Sequence, residues 1–167
     1  MKIRGPKATD AKMGLDYINT LVDEGAMIGV IDRSTLAQEK KIFRQMAAGN
    51  KAGKRIDLFA FENKMIVGSV KLEFLQEQIC PHIAYLGISV AKEYRGKGLA
   101  KKLYSQAEKK ARKSGIERIY VKAYAENKRA ISFYKRLGFI EVALLEDEIK
   151  IGDWREDALL MGKKIVQ

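Results

Sequence analysis

The sequence predicts an α/β fold with a mixed sheet, and three observations carry that expectation. Apolar residues recur at helical spacing before residue 50 and at strand spacing from Ile56 onward. The stretch "HIAYLGISV" (82–90) leads through a glycine-rich turn and an amphipathic segment to a second strand-like run, "ERIYVKAY" (117–124), which is the pattern of a parallel crossover. With 167 residues, 47% of them apolar, the chain is long enough for one full core and short for two.

A strand is expected around Ile3. Thr9 and Asp10 are candidate caps for "AKMGLDYINTLVDE", in which Met13, Tyr17 and Leu21 recur at helical spacing, and Gly25 ends that helix. Thr35 and Gln38 have capping-box spacing for a second helix over "LAQEKKIFRQMAAG", stopped near Gly49. "IDLFAFE" and "MIVGSVKLEFL" are rich in β-branched and aromatic residues and read as a hairpin turning at Glu62-Asn63, with "HIAYLGISV" as the third strand of an antiparallel run. Next, "LAKKLYSQAEKKARKSG" turns Leu99, Leu103 and Ala107 inward as a helix. Asn127 starts another through "KRAISFYKRLG", and Phe139 to Leu145 and "DALLMGKKI" form two closing strands. There is no internal repeat, linker or low-complexity segment.

The net charge of +11 suits nucleic acid, a membrane surface or a polyphosphate ligand, and its distribution is uneven. Basic residues gather between Lys92 and Lys113 and from Lys122 to Arg136, whereas "EDE" (146–148) and "DWRED" (153–157) are acidic. A single cysteine, Cys80, and a single histidine, His82, exclude an intrachain disulfide framework and a histidine-based metal cluster, so no metal is expected. No apolar run has the length of a membrane span, and "MKIRGPKATD" lacks a secretory stretch, so a soluble cytoplasmic protein is expected.

The segment "EYRGKGLAKKL" (93–103) carries the sharpest chemical signal. A glycine-rich turn between strand and helix exposes several backbone N–H groups in one direction, and the helix dipole adds partial positive charge there, so a phosphate can sit without help from side chains. Gly96 and Gly98 would allow close approach, with Arg95, Lys97, Lys101 and Lys102 at the rim. An ordinary turn with a solvated basic helix face is the competing reading of these residues alone.

Within it, "YRGKGLA" contains R-x-x-G-x-A at Arg95, Gly98 and Ala100, and this resembles the pyrophosphate-binding motif of the GNAT (GCN5-related) N-acetyltransferase superfamily. "NKRAISFYKRLGF" (127–139) is similar to that family's downstream motif, N-x-x-A-I-x-x-Y-x-x-x-G-F, one helix and one strand later. "GDWREDALLMGKKI" resembles its closing segment. The resemblance runs from about Glu62 to Lys164 and implies a three-layer fold, with a mixed, splayed sheet of six to seven strands flanked by about four helices. It further implies one domain over 1–167: acceptor-side helices in 1–55, an acetyl-CoA-binding core in 56–139 and C-terminal strands in 140–167.

On this resemblance the ligand of the turn is acetyl-CoA. Backbone N–H groups from Arg95 through Gly96, Lys97, Gly98, Leu99, Ala100 and Lys101 would hold the pyrophosphate. Ile88, Ser89 and Val90 would face the pantetheine arm, with Asn127, Ala130, Phe133, Tyr134 and Arg136 along its other side. Val90 N–H would be the oxyanion donor and Tyr134 the general acid to the departing thiolate, or else a core tyrosine.

The base stays open at this point, because Tyr85 and Lys122 stand where many relatives carry a glutamate. Glu73, Glu126, His82 and a relay of water are the alternatives, each also readable as an ordinary surface group; Cys80 as an acetyl carrier lacks an adjacent base. The acceptor pocket is expected from residues about 17–45 and 140–158, where Asp23, Glu24, Asp32, Glu146, Asp147, Glu148 and Asp153 could attract an amine and Trp154 could line the wall. The acceptor implied is a small amine, an amino acid or a protein N-terminal amine, with no membrane and no specific nucleic acid as partner and a homodimer slightly favoured. A non-catalytic acetyl-CoA sensor and a basic nucleic-acid-binding module are the competing functions.

Overall fold

The computed structural model describes residues 1–165. Its strands are β1 (Lys2–Arg4), β2 (Arg55–Glu62), β3 (Met65–Phe74), β4 (Ile83–Val90), β5 (Arg118–Tyr124), β6 (Ile140–Ile151) and β7 (Trp154–Lys164). The α-helices are α1 (Ala11–Asp23), α2 (Leu36–Lys51), α3 (Leu99–Lys113) and α4 (Lys128–Arg136). The strands form one seven-stranded sheet in the order β1-β2-β3-β4-β5-β7-β6, antiparallel throughout except for the β4–β5 pair. The predicted α/β fold and mixed sheet are borne out.

Two apolar layers hold the helices to opposite faces. Leu72, Leu86, Ile119 and Val121 meet Leu103 and Tyr104 of α3 and Ile131 of α4 on one face; Phe59 and Ile66 meet Tyr17, Leu21 and Phe43 on the other. Phe43 of α2 stacks on Phe59 at 5.3 Å. Gly14 makes room for that ring, since a Cβ there would lie 2.1 Å from it.

The Thr35–Gln38 capping box forms as expected, with Gln38 N–H on Thr35 Oγ1 (3.3 Å) and Thr35 N–H on Gln38 Oε1 (2.7 Å). Three local expectations are corrected. Asp10 does not cap α1: its buried carboxylate accepts two hydrogen bonds from the Arg4 guanidinium (2.6 and 2.9 Å) and one from Lys7 N–H (2.7 Å). The β2–β3 hairpin turns at Asn63-Lys64 rather than Glu62-Asn63, both with positive φ (49° and 61°), because a two-residue turn that follows the strand twist needs left-handed conformations at both positions. The last hairpin is longer than its apolar core suggests. Pairs Ile149↔Glu156, Lys150↔Arg155 and Ile151↔Trp154 extend it into a polar arm beyond the expected end at Leu145, with a break in register between Leu145 and Ile149.

Candidate active site

β4 and β5 run side by side only at Ile83–Tyr85 and Arg118–Tyr120; beyond them the strands part. Each keeps its outer neighbour, β4 on β3 as far as Val90 and β5 on β7 as far as Tyr124, so the gap between them is held open from both sides. Ala91 N–H donates to Val67 O (3.0 Å), which brackets Gly68 and Val90 as a non-hydrogen-bonded pair. The N–H and C=O of Val90, and two residues earlier those of Ile88, therefore point away from β3 into the gap. Ser89 has the opposite phase. Its backbone serves β3, and its hydroxyl lies 2.8 Å from that of Tyr17 and 2.9 Å from that of Ser69 on the α1 side, so it does not line the gap as Ile88 and Val90 do.

The turn after β4 has the shape its glycines suggest. Gly96 and Gly98 take φ of 77° and 80°, with nothing within 4 Å of where a Cβ would stand. Arg95 N–H is already donated to Lys92 O (3.2 Å), but among the described residues the N–H groups from Gly96 through Lys101 have no protein acceptor. They converge on the N-terminus of α3, an arrangement suited to an anion. Leu99 serves the core with its side chain, whereas Lys97 and Lys101 are exposed. Gly68 lets α3 approach the sheet: a Cβ there would lie 3.0 Å from Leu103 and 3.2 Å from Leu99. The sequence carries that signal as a lone glycine inside a strand pattern, the mark of a close approach.

Arg95 does not extend toward this cluster of N–H groups. Its Nε donates to Val90 O (2.8 Å), and its guanidinium pairs with Glu24 just past the end of α1.

On α4, Asn127 Oδ1 accepts Ala130 N–H (3.0 Å), so the motif asparagine caps this helix. Ala130 and Phe133 are half-buried against the core, and Arg136 is exposed at the helix end. Tyr134 is buried, its ring 5.5 Å from Phe133 and 5.8 Å from Phe139. Its hydroxyl makes no hydrogen bond among the described residues, and burial pushes its pKa up to about 12, so the phenol is a proton donor at neutral pH.

The structure separates the candidate bases. Glu73 sits opposite Tyr85 and pairs with Lys71 (3.0 Å) and Arg55 (3.4 Å) at the closed end of the gap; five residues of strand put it about 17 Å from Val90. His82 and Cys80 precede β4 at that same end. Glu126 follows β5 at the open end, its N–H on Glu156 Oε1 (3.2 Å) and its exposed carboxylate near Lys128 (3.6 Å).

The open end on the α1 side also holds groups that sequence reasoning did not bring together. Tyr124 O–H donates to Ile28 O (3.4 Å), and Trp154 stacks on the Tyr124 ring at 6.5 Å. Burial, then the charge of Glu156, push the Tyr124 pKa up. Of the acidic residues assigned to the acceptor side, Asp23 pairs with Arg33, Glu24 with Arg95 and Glu148 with Lys122.

Comparison with known proteins points the same way. Residues 25–139 match the model of the Acetyltransferase (GNAT) family. The chain is 36% identical over 88 residues to the N-alpha-acetyltransferase MAK3 of Arabidopsis thaliana, covering 52% of this chain and 45% of that protein. It is 31% identical over 78 residues to the [ribosomal protein bS18]-alanine N-acetyltransferase of Escherichia coli K12, covering 47% and 53%. The matches thus span about half the length of these relatives. Among solved structures, an acetyltransferase of the GNAT family from Streptococcus pneumoniae superposes with a TM-score of 0.86 at 26% identity over 99% of both chains. A phosphinothricin acetyltransferase from Sinorhizobium meliloti in complex with acetyl-CoA shares the fold, with a TM-score of 0.80 at 16% identity over 98% of this chain and 87% of that one. A parted strand pair, an anion-ready turn and a family match over more than half of the chain agree, and the chain belongs to the acetyltransferase (GNAT) family.

Proposed function

We propose that this protein is an N-acetyltransferase that moves an acetyl group from acetyl-CoA to a primary amine by direct attack, with both substrates bound together. The observation that carries this reading is the gap between β4 and β5. Ile88 presents its N–H and C=O to it and Val90 its N–H, and the free N–H groups of Gly96–Lys101 stand at its end. An extended diamide arm with a diphosphate at its end fits both: the arm along β4 in place of the missing strand, the phosphates on the α3 N-terminus. With Val90 O taken by Arg95, the arm would pair with Ile88, leaving Val90 N–H for the carbonyl oxygen of the acyl group.

The chain's own groups then divide the work. Val90 N–H stabilises negative charge on the acyl oxygen as the amine nitrogen attacks. Tyr134 donates a hydrogen bond to sulfur as the C–S bond breaks; a phenol at about 12 is protonated beforehand, and because full transfer to a thiolate of pKa about 8.5 runs uphill, the hydroxyl stabilises the departing sulfur first and yields its proton only as that proton is replaced from solvent. Glu126, placed at the open end, accepts the ammonium proton through water. The acceptor enters between residues 24–28 and the Trp154 end of the β6–β7 arm. The names of the two curated relatives favour a polypeptide α-amino group over a free small amine or amino acid.

The test is a mass-spectrometric screen with acetyl-CoA against free-N-terminus peptides, amino acids, polyamines and other small amines. Acetylated peptide is the expected product. Acetyl-CoA binding without any product from a panel of that breadth would favour a sensor over an enzyme.

A further inference from the structure

We infer that Arg95 and Glu24 are a positioning pair that holds the end of β4 from the acceptor side. The inference rests on the acetyltransferase reading for its kinetic consequence but not for its structural one. Val90 O points into the gap, where a neighbouring strand would ordinarily supply an N–H. Arg95 Nε takes that place at 2.8 Å, and the same guanidinium bonds Glu24, which is only 16% exposed. Val90 O and Ala91 N–H are the two ends of one peptide group, and the N–H is bonded to Val67 O at 3.0 Å. That peptide is therefore gripped from β3 on one side and from α1, through Arg95, on the other.

Four residues beyond Glu24, Ile28 O accepts the Tyr124 hydroxyl of β5 (3.4 Å). Residues 24–28 thus bridge the parted strands, with one attachment to β4 through Arg95 and one to β5 through Tyr124. The orientation of Val90 N–H, the group that must meet the developing negative charge, depends on the peptide next to it staying in place. A group displaced by a fraction of an ångström there costs rate rather than cofactor affinity. The arginine of the glycine-rich turn accordingly acts on the geometry of β4, while the backbone of the turn binds the anion.

Two measurements on the full chain test this. Hydrogen exchange at the Ala91 amide, in protein without ligand, reads the grip directly, and steady-state kinetics with calorimetric acetyl-CoA binding read its effect. Glu24→Gln and Arg95→Lys are each expected to speed Ala91 exchange about tenfold, the scale of one lost charge-assisted hydrogen bond at a partly buried site. Glu24→Gln is expected to lower kcat about tenfold while the acetyl-CoA Kd stays within about twofold, since Glu24 bonds the Arg95 side chain and none of the free N–H groups of Gly96–Lys101, and Glu24→Asp to restore part of that kcat. Wild-type Ala91 exchange in both variants would overturn the inference. So would an Arg95→Lys protein that loses acetyl-CoA affinity while Ala91 exchange is unchanged, because the arginine would then serve the anion. If the wild-type protein acetylates nothing, the acetyltransferase reading falls, and Ala91 exchange alone decides the pairing.

Discussion

Val90 stands opposite Gly68 in the β3–β4 ladder, yet the two share no hydrogen bond: the bond beside them, from Ala91 N–H to Val67 O, turns both polar groups of Val90 toward the parted strands. On the α3 face, Gly68 leaves the space that Leu99 and Leu103 occupy. One pair thus sets both the backbone lining of the gap and the closeness of the α3 N-terminus to the sheet.

Gly68→Val would force α3 away from β3, because even its Cβ would lie 3.0 Å from Leu103 Cδ1. A stability loss of about 1–3 kcal/mol is expected from overpacking, with acetyl-CoA affinity falling more than acceptor affinity. Urea unfolding and calorimetry check it; unchanged cofactor binding would detach the position of α3 from the site.

Gly98 precedes α3 at φ 80° with open space around it, so the cost of an alanine there is conformational rather than steric. Gly98→Ala should cost about 1 kcal/mol for the left-handed backbone and weaken acetyl-CoA binding by about fivefold or more as the N–H groups lose alignment. An alanine variant with wild-type Kd would argue that the turn does not hold the diphosphate.

Tyr134→Phe removes a hydroxyl without a protein partner among the described residues, so the thermal midpoint should barely move. If Tyr134 protonates the leaving thiolate, kcat falls about 10²-fold or more with acetyl-CoA affinity retained. Its pKa of about 12 also predicts no loss of activity from this group between pH 8 and 10; an alkaline fall near 10 that vanishes in Tyr134→Phe would contradict the buried phenol.

Glu126→Gln and Glu73→Gln should behave differently. Glu126 lies at the open end of the gap and Glu73 is bound to Arg55 and Lys71 at the closed end. The first is expected to lower kcat about tenfold at neutral pH, with a smaller loss at high pH where the amine is already neutral. The second should leave it within about twofold. The reverse order would return the base to β3.

Asp10 links stability to acid. Burial opposes its charge, but the Arg4 hydrogen bonds, the Lys7 N–H and both cations outweigh that and hold its carboxyl below the usual value. A folded pKa below the unfolded one means the stabilisation is present above about pH 4 and is lost as pH falls through the folded pKa. Asp10→Asn should therefore unfold more readily at pH 7 and lose less on acidification than the wild type, as measured by urea midpoints from pH 7 to 3.

The chain's local chemistry settled a good deal by itself. Helix periodicity, the Thr35–Gln38 box and the strand–glycine turn–helix order around Gly96 and Gly98 depend on residues close in sequence, and these are legible without coordinates. So was the family, through residues 95–100 and 127–139. What only the tertiary structure decided were relationships between distant segments. Arg95 turns to Glu24 across 71 positions, because Val90 O faces a gap that no strand fills. Glu73 and Glu126 looked equivalent in sequence, and strand register alone sets them at opposite ends of that gap. The polar arm beyond Leu145 is a strand because its partner is Trp154–Glu156, not because its own residues favour one. Propensity is a property of a short window, whereas register, splay and the direction of a long charged side chain are set by which neighbours leave a hydrogen-bonding group unmet.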